Sequence, residues 1–278
     1  MKATIYYSKK ISDLMNQLYK DKYKNKFFVK WQYFNKNFNT KLSISLKNTK
    51  IISMAGYFKK KLFNNHAVYQ LIGLGTHPKF SNKGYFSKNF NQILPKKKCL
   101  ICFANLSASR NSLLKKYLPL NIKIENLILK KKDFKKIKKK NKLYIKKKDL
   151  LFNKDEKFYN TRYKKHPINK YFIFKKKDYG IFFKQINIKK KIYLDIIDIQ
   201  INKTIEFSKI LNEFVNWTEK INYDYLNFFS FKGSKFSSYL KKRLFVEKKL
   251  NNKRLMISSD LSQKELINKI IFLGDADY

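Results

Sequence analysis

The chain is short of acidic residues: 19 Asp and Glu stand against 64 Lys and Arg in 278 residues, a formal charge of +45. That excess goes beyond what solubility requires and makes a free surface repel itself, so a polyanionic partner is expected. Arginine is nearly absent, and the basic residues are lysine except at Arg110, Arg162, Arg243 and Arg254. Arginine is the better bidentate donor to phosphate, so the preference for lysine points to codon drift toward an AT-rich gene. The scarcity of glycine (7) and proline (4) points the same way. Cys99 and Cys102 are the only cysteines, which excludes a disulfide scaffold and fits a reducing compartment. No stretch of about eighteen uncharged apolar residues occurs, so no transmembrane helix is expected. The N-terminal Met1-Lys2-Ala3-Thr4-Ile5-Tyr6-Tyr7 has neither an Arg-rich presequence nor a signal-peptide apolar region. Either a presequence is gone or import was never needed.

Apolar residues nevertheless make up 44% of the chain, enough for one large or two ordinary domains. Ser8 precedes Ile11, Leu14, Met15, Leu18 and Tyr19, whose spacing predicts an amphipathic helix. Alternation over Leu42 to Leu46, then Lys47-Asn48-Thr49 and Ile51 to Met54, predicts a hairpin, with a further strand over Val68 to Leu74. Cys99 to Ala104 reads as a buried strand. A helix follows, capped by Ser107 or Ser109, striped by Leu113, Leu114, Tyr117 and Leu118 and stopped by Pro119. Ile122 to Leu129 then completes a β-α-β pattern. After Pro167, strands at Tyr171 to Phe174, Gly180 to Ile188 and Lys191 to Ile201 predict an antiparallel meander. Helical spacing returns over Glu206 to Ile221. A last helix is predicted from the Ser262/Glu265 capping pair through Leu266, Ile267, Ile270 and Ile271, ending at Gly274. No internal repeat shows at solenoid or propeller periods. The expected fold is α/β or α+β, a mixed sheet with packed helices and basic extensions. Its expected divisions are an α/β domain over 1–129, a Lys-rich extension over 130–166 and an α+β domain over 167–278.

Motifs for chemistry are sparse. Cys99-x-x-Cys102 is half a zinc knuckle that would need His77 and His66 from elsewhere, and on a strand its side chains face opposite ways. Two small buried hydrophobes are the simpler expectation, with no metal. His66, His77 and His166 stand alone, as turn or loop residues. Gly73-Leu74-Gly75 lacks the third glycine of a dinucleotide loop, so nucleotide binding is not expected. Asp195, Asp198, Glu206 and Glu213 are expected in ion pairs rather than around metal. No catalytic residue and no cofactor are expected.

Basic clusters spread over the whole chain instead, and for these RNA contact is the expected role: Lys96, Lys97, Lys98, Lys135, Lys136, Lys138, Lys139, Lys140, Lys146, Lys147, Lys148, Lys164, Lys165, Lys241, Lys242 and Arg243. Of the aromatics Tyr23, Phe27, Trp31, Tyr33 and Phe34, some could stack on bases, although core packing is their commoner use.

In its lysine and asparagine bias the chain resembles a mitochondrion-encoded ribosomal protein of ciliate type. Gly75-Thr76-His77, Pro78-Lys79 and Cys99 to Asn105 with Leu106 resemble the second protein of the bacterial small subunit. The resemblance implies a structural constituent of the mitochondrial ribosome, in the organelle matrix, bound to ribosomal RNA and neighbouring ribosomal proteins and without chemistry of its own. Two alternatives stay open. One is a degenerate intron maturase or endonuclease, whose acids would be Asp275 and Asp277 in Phe272-Leu273-Gly274-Asp275-Ala276-Asp277. The other is a peripheral subunit of a respiratory membrane complex.

Overall fold

The apolar stripe at the N-terminus winds into helix α1 (Ser8–Tyr19), which buries Ile11, Leu14 and Met15. The computed structural model describes residues 1–19, 25–94, 99–105, 108–136, 142–248, 254–272 and 275. Helix α2 (Lys26–Phe34) starts where the Asn25 side chain accepts from the Phe27 and Phe28 N–H groups. Strands β1 (Thr40–Lys47) and β2 (Lys50–Lys61) turn through Asn48 and Thr49, at φ 45° and 63°. Positive φ at both turn residues matches the twist of antiparallel strands, so the expected hairpin forms. Then come β3 (Ala67–Thr76), α3 (Tyr85–Ile93), β4 (Leu100–Ala104), α4 (Ser112–Tyr117) and β5 (Leu120–Lys130). Helix α4 is capped by Asn111, which accepts from Leu114 N–H, and not by a serine. Ser109 is instead buried in the preceding turn, and Ser107 lies outside the described residues.

The second half comprises β6 (Tyr144–Ile145), α5 (Glu156–Tyr159) running into a π-turn at Asn160–Lys164, and the meander β7 (Phe172–Lys175), β8 (Tyr179–Ile188) and β9 (Lys191–Ile201). It continues through β10 (Ile205–Glu206), α6 (Phe207–Trp217), β11 (Tyr225–Phe231), α7 (Lys235–Lys241), β12 (Val246–Glu247), β13 (Arg254–Ile257) and α8 (Gln263–Ile267). Helix α6 buries Phe207, Ile210, Leu211 and Phe214. Each contributes about 2 kcal/mol, which outweighs the few tenths that Phe and Ile cost in helix propensity. The last helix is shorter than its spacing predicts. Ser262 caps it as expected, but Ile270 leaves it to bridge Leu150, with Ile270 N–H donating to Asp149 and its carbonyl accepting from Leu151. Backbone pairing there replaces two turns of helix, and Gly274 is outside the described residues.

A mixed sheet of eleven strands, ordered β1-β2-β3-β4-β13-β5-β11-β9-β8-β7 with β12 beside β5, organises the chain and bears out the expected α/β mixture. The order contains a repeat of topology. Each half lays down three antiparallel strands, a helix, a strand parallel to the third, a second helix, and finally a strand given to the other half. Thus β5 pairs with β11 and β13 with β4, both antiparallel, and the two exchanged strands pair with each other. The expected β-α-β unit of β4, α4 and β5 is split by β13. Cys99 packs in the central cluster with Val68 and Ile101, while Cys102 packs on the other side with α3 and α4. The two cysteines are the small buried hydrophobes that strand alternation predicts.

Candidate active site

Parallel strands β3 and β4 pair only at their beginnings, Tyr69 with Leu100 and Gln70 with Ile101. Beyond these, β3 runs on to Thr76 and β4 to Ala104 without pairing to each other, while β2 stays paired along β3 and β13 along β4. A V-shaped opening results, at the carboxyl ends of two parallel strands, where open α/β sheets bind ligands.

One arm of the V is kinked. Met54 pairs with Gly75 and Gly56 with Ile72, so Gly73 and Leu74 together oppose Ala55, a bulge with Gly73 at φ 57°. Bulges leave a residue out of the ladder and re-aim its backbone groups. Glycine is required there for space as well as for φ. A Cβ on Gly73 would stand 2.6 Å from the Tyr33 hydroxyl and 2.8 Å from Met54 Cε, and one on Gly75 would stand 2.5 Å from Leu18. Helices α1 and α2 therefore close on the bulge from one side.

From Thr76 the chain turns through His77, whose Nδ1 accepts from Lys79 N–H, into α3. Gly84 holds the N-cap at φ 75° and supplies no side-chain cap, and a Cβ there would meet open space. The first N–H groups of a nine-residue helix thus lack a side-chain cap, and the exposed Lys83 and Lys79 lie in the loop that leads to them from the end of β3. Unpaired amides and the helix dipole together favour a bound anion. Across α3, Tyr117 of α4 packs on Phe90, ring centroids 5.4 Å apart.

The second half repeats this arrangement and seals it. Strands β9 and β11 pair only from Tyr193 to Asp195 on β9, and β9 carries its own irregularity at Ile197. There β6 pairs with β10, and Phe207 N–H at the start of α6 donates to the Leu143 carbonyl, 2.7 Å. Lys154 lies between Asp198 and Asp275 at 2.7 and 2.5 Å, its side chain 3% exposed. Tyr163 also donates to Asp198, at 2.6 Å. Burial opposes the Lys154 charge, but the two carboxylates outweigh it and hold its pKa above the usual value. Burial also raises Asp198, Tyr159 and Tyr163. Perturbed groups often mark active sites. Here they are the chain's own plug in the second V.

Two other buried groups set the response to pH. Burial lifts Asp195 to about 6, against the pull of its Asn227 hydrogen bond and of Lys184. Burial, with Arg162 and Lys184, lowers His166 to about 3; its Nδ1 accepts from the Ile168 and Asn169 N–H groups. A carboxyl raised on folding costs stability as pH climbs from about 4 to 6, and a histidine lowered on folding costs stability as pH falls from about 6.5 toward 3. Asp195→Asn is therefore expected to stabilise the protein by up to about 3 kcal/mol at pH 8 and negligibly at pH 4. Urea midpoints at the two pH values check this, and an equal shift at both would refute the assignment.

Glu206 accepts from Ser208, Glu213 accepts from Tyr179, and among the described residues only Asp198 of the four expected carboxylates is in an ion pair. Trp31 and Tyr33 are buried, Phe34 is half-buried, Phe27 is exposed and Tyr23 lies outside the described residues. His66 Nε2 lies 3.1 Å from Cys99 Sγ, and no group of three metal ligands occurs among the described residues. Of the basic residues assigned to RNA contact, Lys96, Lys97, Lys98, Lys138, Lys139 and Lys140 lie outside the description. Lys135, Lys146, Lys147, Lys148, Lys164, Lys165 and Lys242 are exposed. Lys136 pairs with Asp133, Lys241 pairs with Glu125, and Arg243 is buried over the Tyr239 ring. Lys79 and Lys83, in the loop between β3 and α3, were not among them. A signal did exist: Gly73, Gly75 and Gly84, three of only seven glycines, fall within one short stretch.

No protein-family model matches the chain, and no curated protein matches it. Solved structures do. A conserved protein of Enterococcus faecalis V583, described as a probable N-acyltransferase, superposes with TM-score 0.62 at 9% identity, covering 96% of this chain and 72% of that one. A GCN5-related N-acetyltransferase of Anabaena variabilis gives 0.61 at 11% identity, covering 92% and 71%. Another, from Kribbella flavida, gives 0.55 at 9%, covering 92% and 69%. These neighbours overturn the ribosomal resemblance, with its expected RNA and ribosomal-protein partners, and the expectation of a protein without chemistry. They favour neither the nuclease nor the respiratory-subunit alternative: Asp275 is locked against Lys154, and Asp277 is outside the description. Lysine content bears on net charge and does not specify a fold. No helix among the described residues is long and apolar enough to cross a membrane, as expected. At such low identity the likeness establishes architecture: the chain carries the fold of GCN5-related N-acetyltransferases.

Proposed function

We propose that this protein transfers an acyl group from a phosphate-bearing thioester, such as an acyl-coenzyme A, to an amine at the opening between β3 and β4. The observation that carries this reading is a bulged strand whose end leads, through the loop at 77–84, to an uncapped helix start, with the matching mouth of the second half plugged. The transferase names of the structural neighbours support it. In this reading the α3 amides, with Lys79 and Lys83, hold the donor's phosphates, and the thioester reaches along β3 to the bulge. The amine nitrogen attacks the carbonyl carbon, and a backbone N–H freed at Gly73-Leu74 steadies the oxyanion. Collapse breaks the carbon–sulfur bond. The amine gives up its proton to solvent, and the departing sulfur takes one from the Tyr117 hydroxyl on the α3–α4 face, a role we assign to it, the phenol being restored from solvent.

Free thiol release from acetyl-coenzyme A, measured against a panel of primary amines, tests the activity. Saturable, amine-dependent release is expected. A protein that neither binds the donor nor releases thiol with any amine would contradict the proposal.

A further inference from the structure

A second concave site lies at the other end of β3. The turn at Lys36–Phe38, the last residues of β2 and the start of α5 enclose a cavity of about 330 Å³. Its β2 wall is in register with the beginning of β3, Lys61 opposite Ala67, whereas the acyl-transfer mouth is at Thr76. The cavity's β2 residues, Phe58 to Lys61, oppose Gln70 to Ala67, so it is about 10 to 20 Å along the strand from the Gly73 bulge and about 20 to 30 Å from Thr76.

The cavity is charged by construction. Lys36, Lys59, Lys61 and Lys157 stand exposed around it, and Arg162, 2% exposed, lies in its wall over the Trp31 ring at 5.2 Å. Against them stands Asp155, whose carboxylate accepts from Phe158 N–H as the α5 cap. Lys154 also lines it, with its charge already met by Asp198 and Asp275. Buried Phe38 and Phe58 form the apolar part of the wall, and Asn37 is fixed by donating to Thr161 at 3.1 Å. Cations around a hollow with low-dielectric walls focus the field inward, unlike the same cations on a convex surface. The volume is at the small end for ligand pockets.

We infer that this cavity binds a small phosphorylated molecule. A phosphate ester concentrates about two negative charges on one compact group, which suits a ring of lysines and a guanidinium. Its apolar portion lies against Phe38 and Phe58. The site is independent of the acyl-transfer reading.

Calorimetric titration of the full chain with pyrophosphate, at about 0.15 M salt to screen the general surface charge, tests the inference. A saturable site that persists in Gly84→Val is expected, beside any binding at the α3 mouth that Gly84→Val removes. Lys59→Gln/Lys61→Gln, both exposed at a strand end, should weaken it about tenfold or more. Lys175→Gln/Lys176→Gln at a distant turn and Gly84→Val at the α3 mouth should leave it unchanged. Equal weakening by both lysine pairs would reduce the effect to general surface charge, and loss with Gly84→Val alone would move it to the other mouth. Either result overturns the proposal.

Discussion

Replacing Lys154 by Met is expected to cost about 3 to 5 kcal/mol, a large share of the 5–15 kcal/mol typical of a whole fold. The ammonium bridges Asp198 and Asp275, and all three side chains are essentially inaccessible. Removing it leaves two carboxylates facing each other in a medium that cannot solvate them, so at least one must take a proton at neutral pH. Part of the loss should return at low pH, where protonation is free, and in Lys154→Met/Asp198→Asn, which removes one of the buried charges. Urea unfolding at pH 7 and pH 5 measures both effects. A loss under about 1 kcal/mol, equal at the two pH values, would mean that the triad is not holding residues 150–154, 272 and 275 in the second V.

Gly73→Val is expected to lower kcat for acyl transfer by about a hundredfold or more while barely changing the KM for the acyl donor. A β-branched residue at φ 57° costs about 1 to 2 kcal/mol in backbone strain alone, and its Cβ would collide with the Tyr33 hydroxyl. Flattening the bulge to relieve the clash would return its N–H to the ladder and take away the proposed oxyanion donor, an interaction worth about 10² to 10³ in rate. Gly84→Val should behave oppositely. It disturbs the start of α3 at φ 75°, where only binding of the phosphates is proposed, so KM should rise more than kcat falls. Equal effects of the two substitutions on both constants would remove the division of labour between bulge and helix.

Local structure was readable wherever one rule dominated. The α1 stripe, the Asn48-Thr49 hairpin, the meander from Phe172 to Ile201 and the Ser262 cap all follow from period, turn chemistry or capping, and all form. Long-range pairing was not readable. Nothing in Arg254–Ile257 announces that it will separate β4 from β5, because a strand with three apolar residues fits any central position. The topological repeat is likewise invisible in residue identities, since Gly73-Leu74-Gly75 on β3 has no glycine counterpart around Ile197 on β9. At the site, the glycines were tested against a dinucleotide loop and failed, yet their work is steric, making a bulge under Tyr33 and an open helix start. Charge misled most. A lysine excess bears on solubility and counterions, and it left the geometry of the β3–β4 mouth untouched.

Hydrogen exchange with and without acetyl-coenzyme A tests the central claim most directly, because the two mouths share a topology and only one is open. Protection confined to residues 73–76 and 84–88, with no change at 196–209, is the result this account requires. Protection at the second mouth, or at neither, would contradict it.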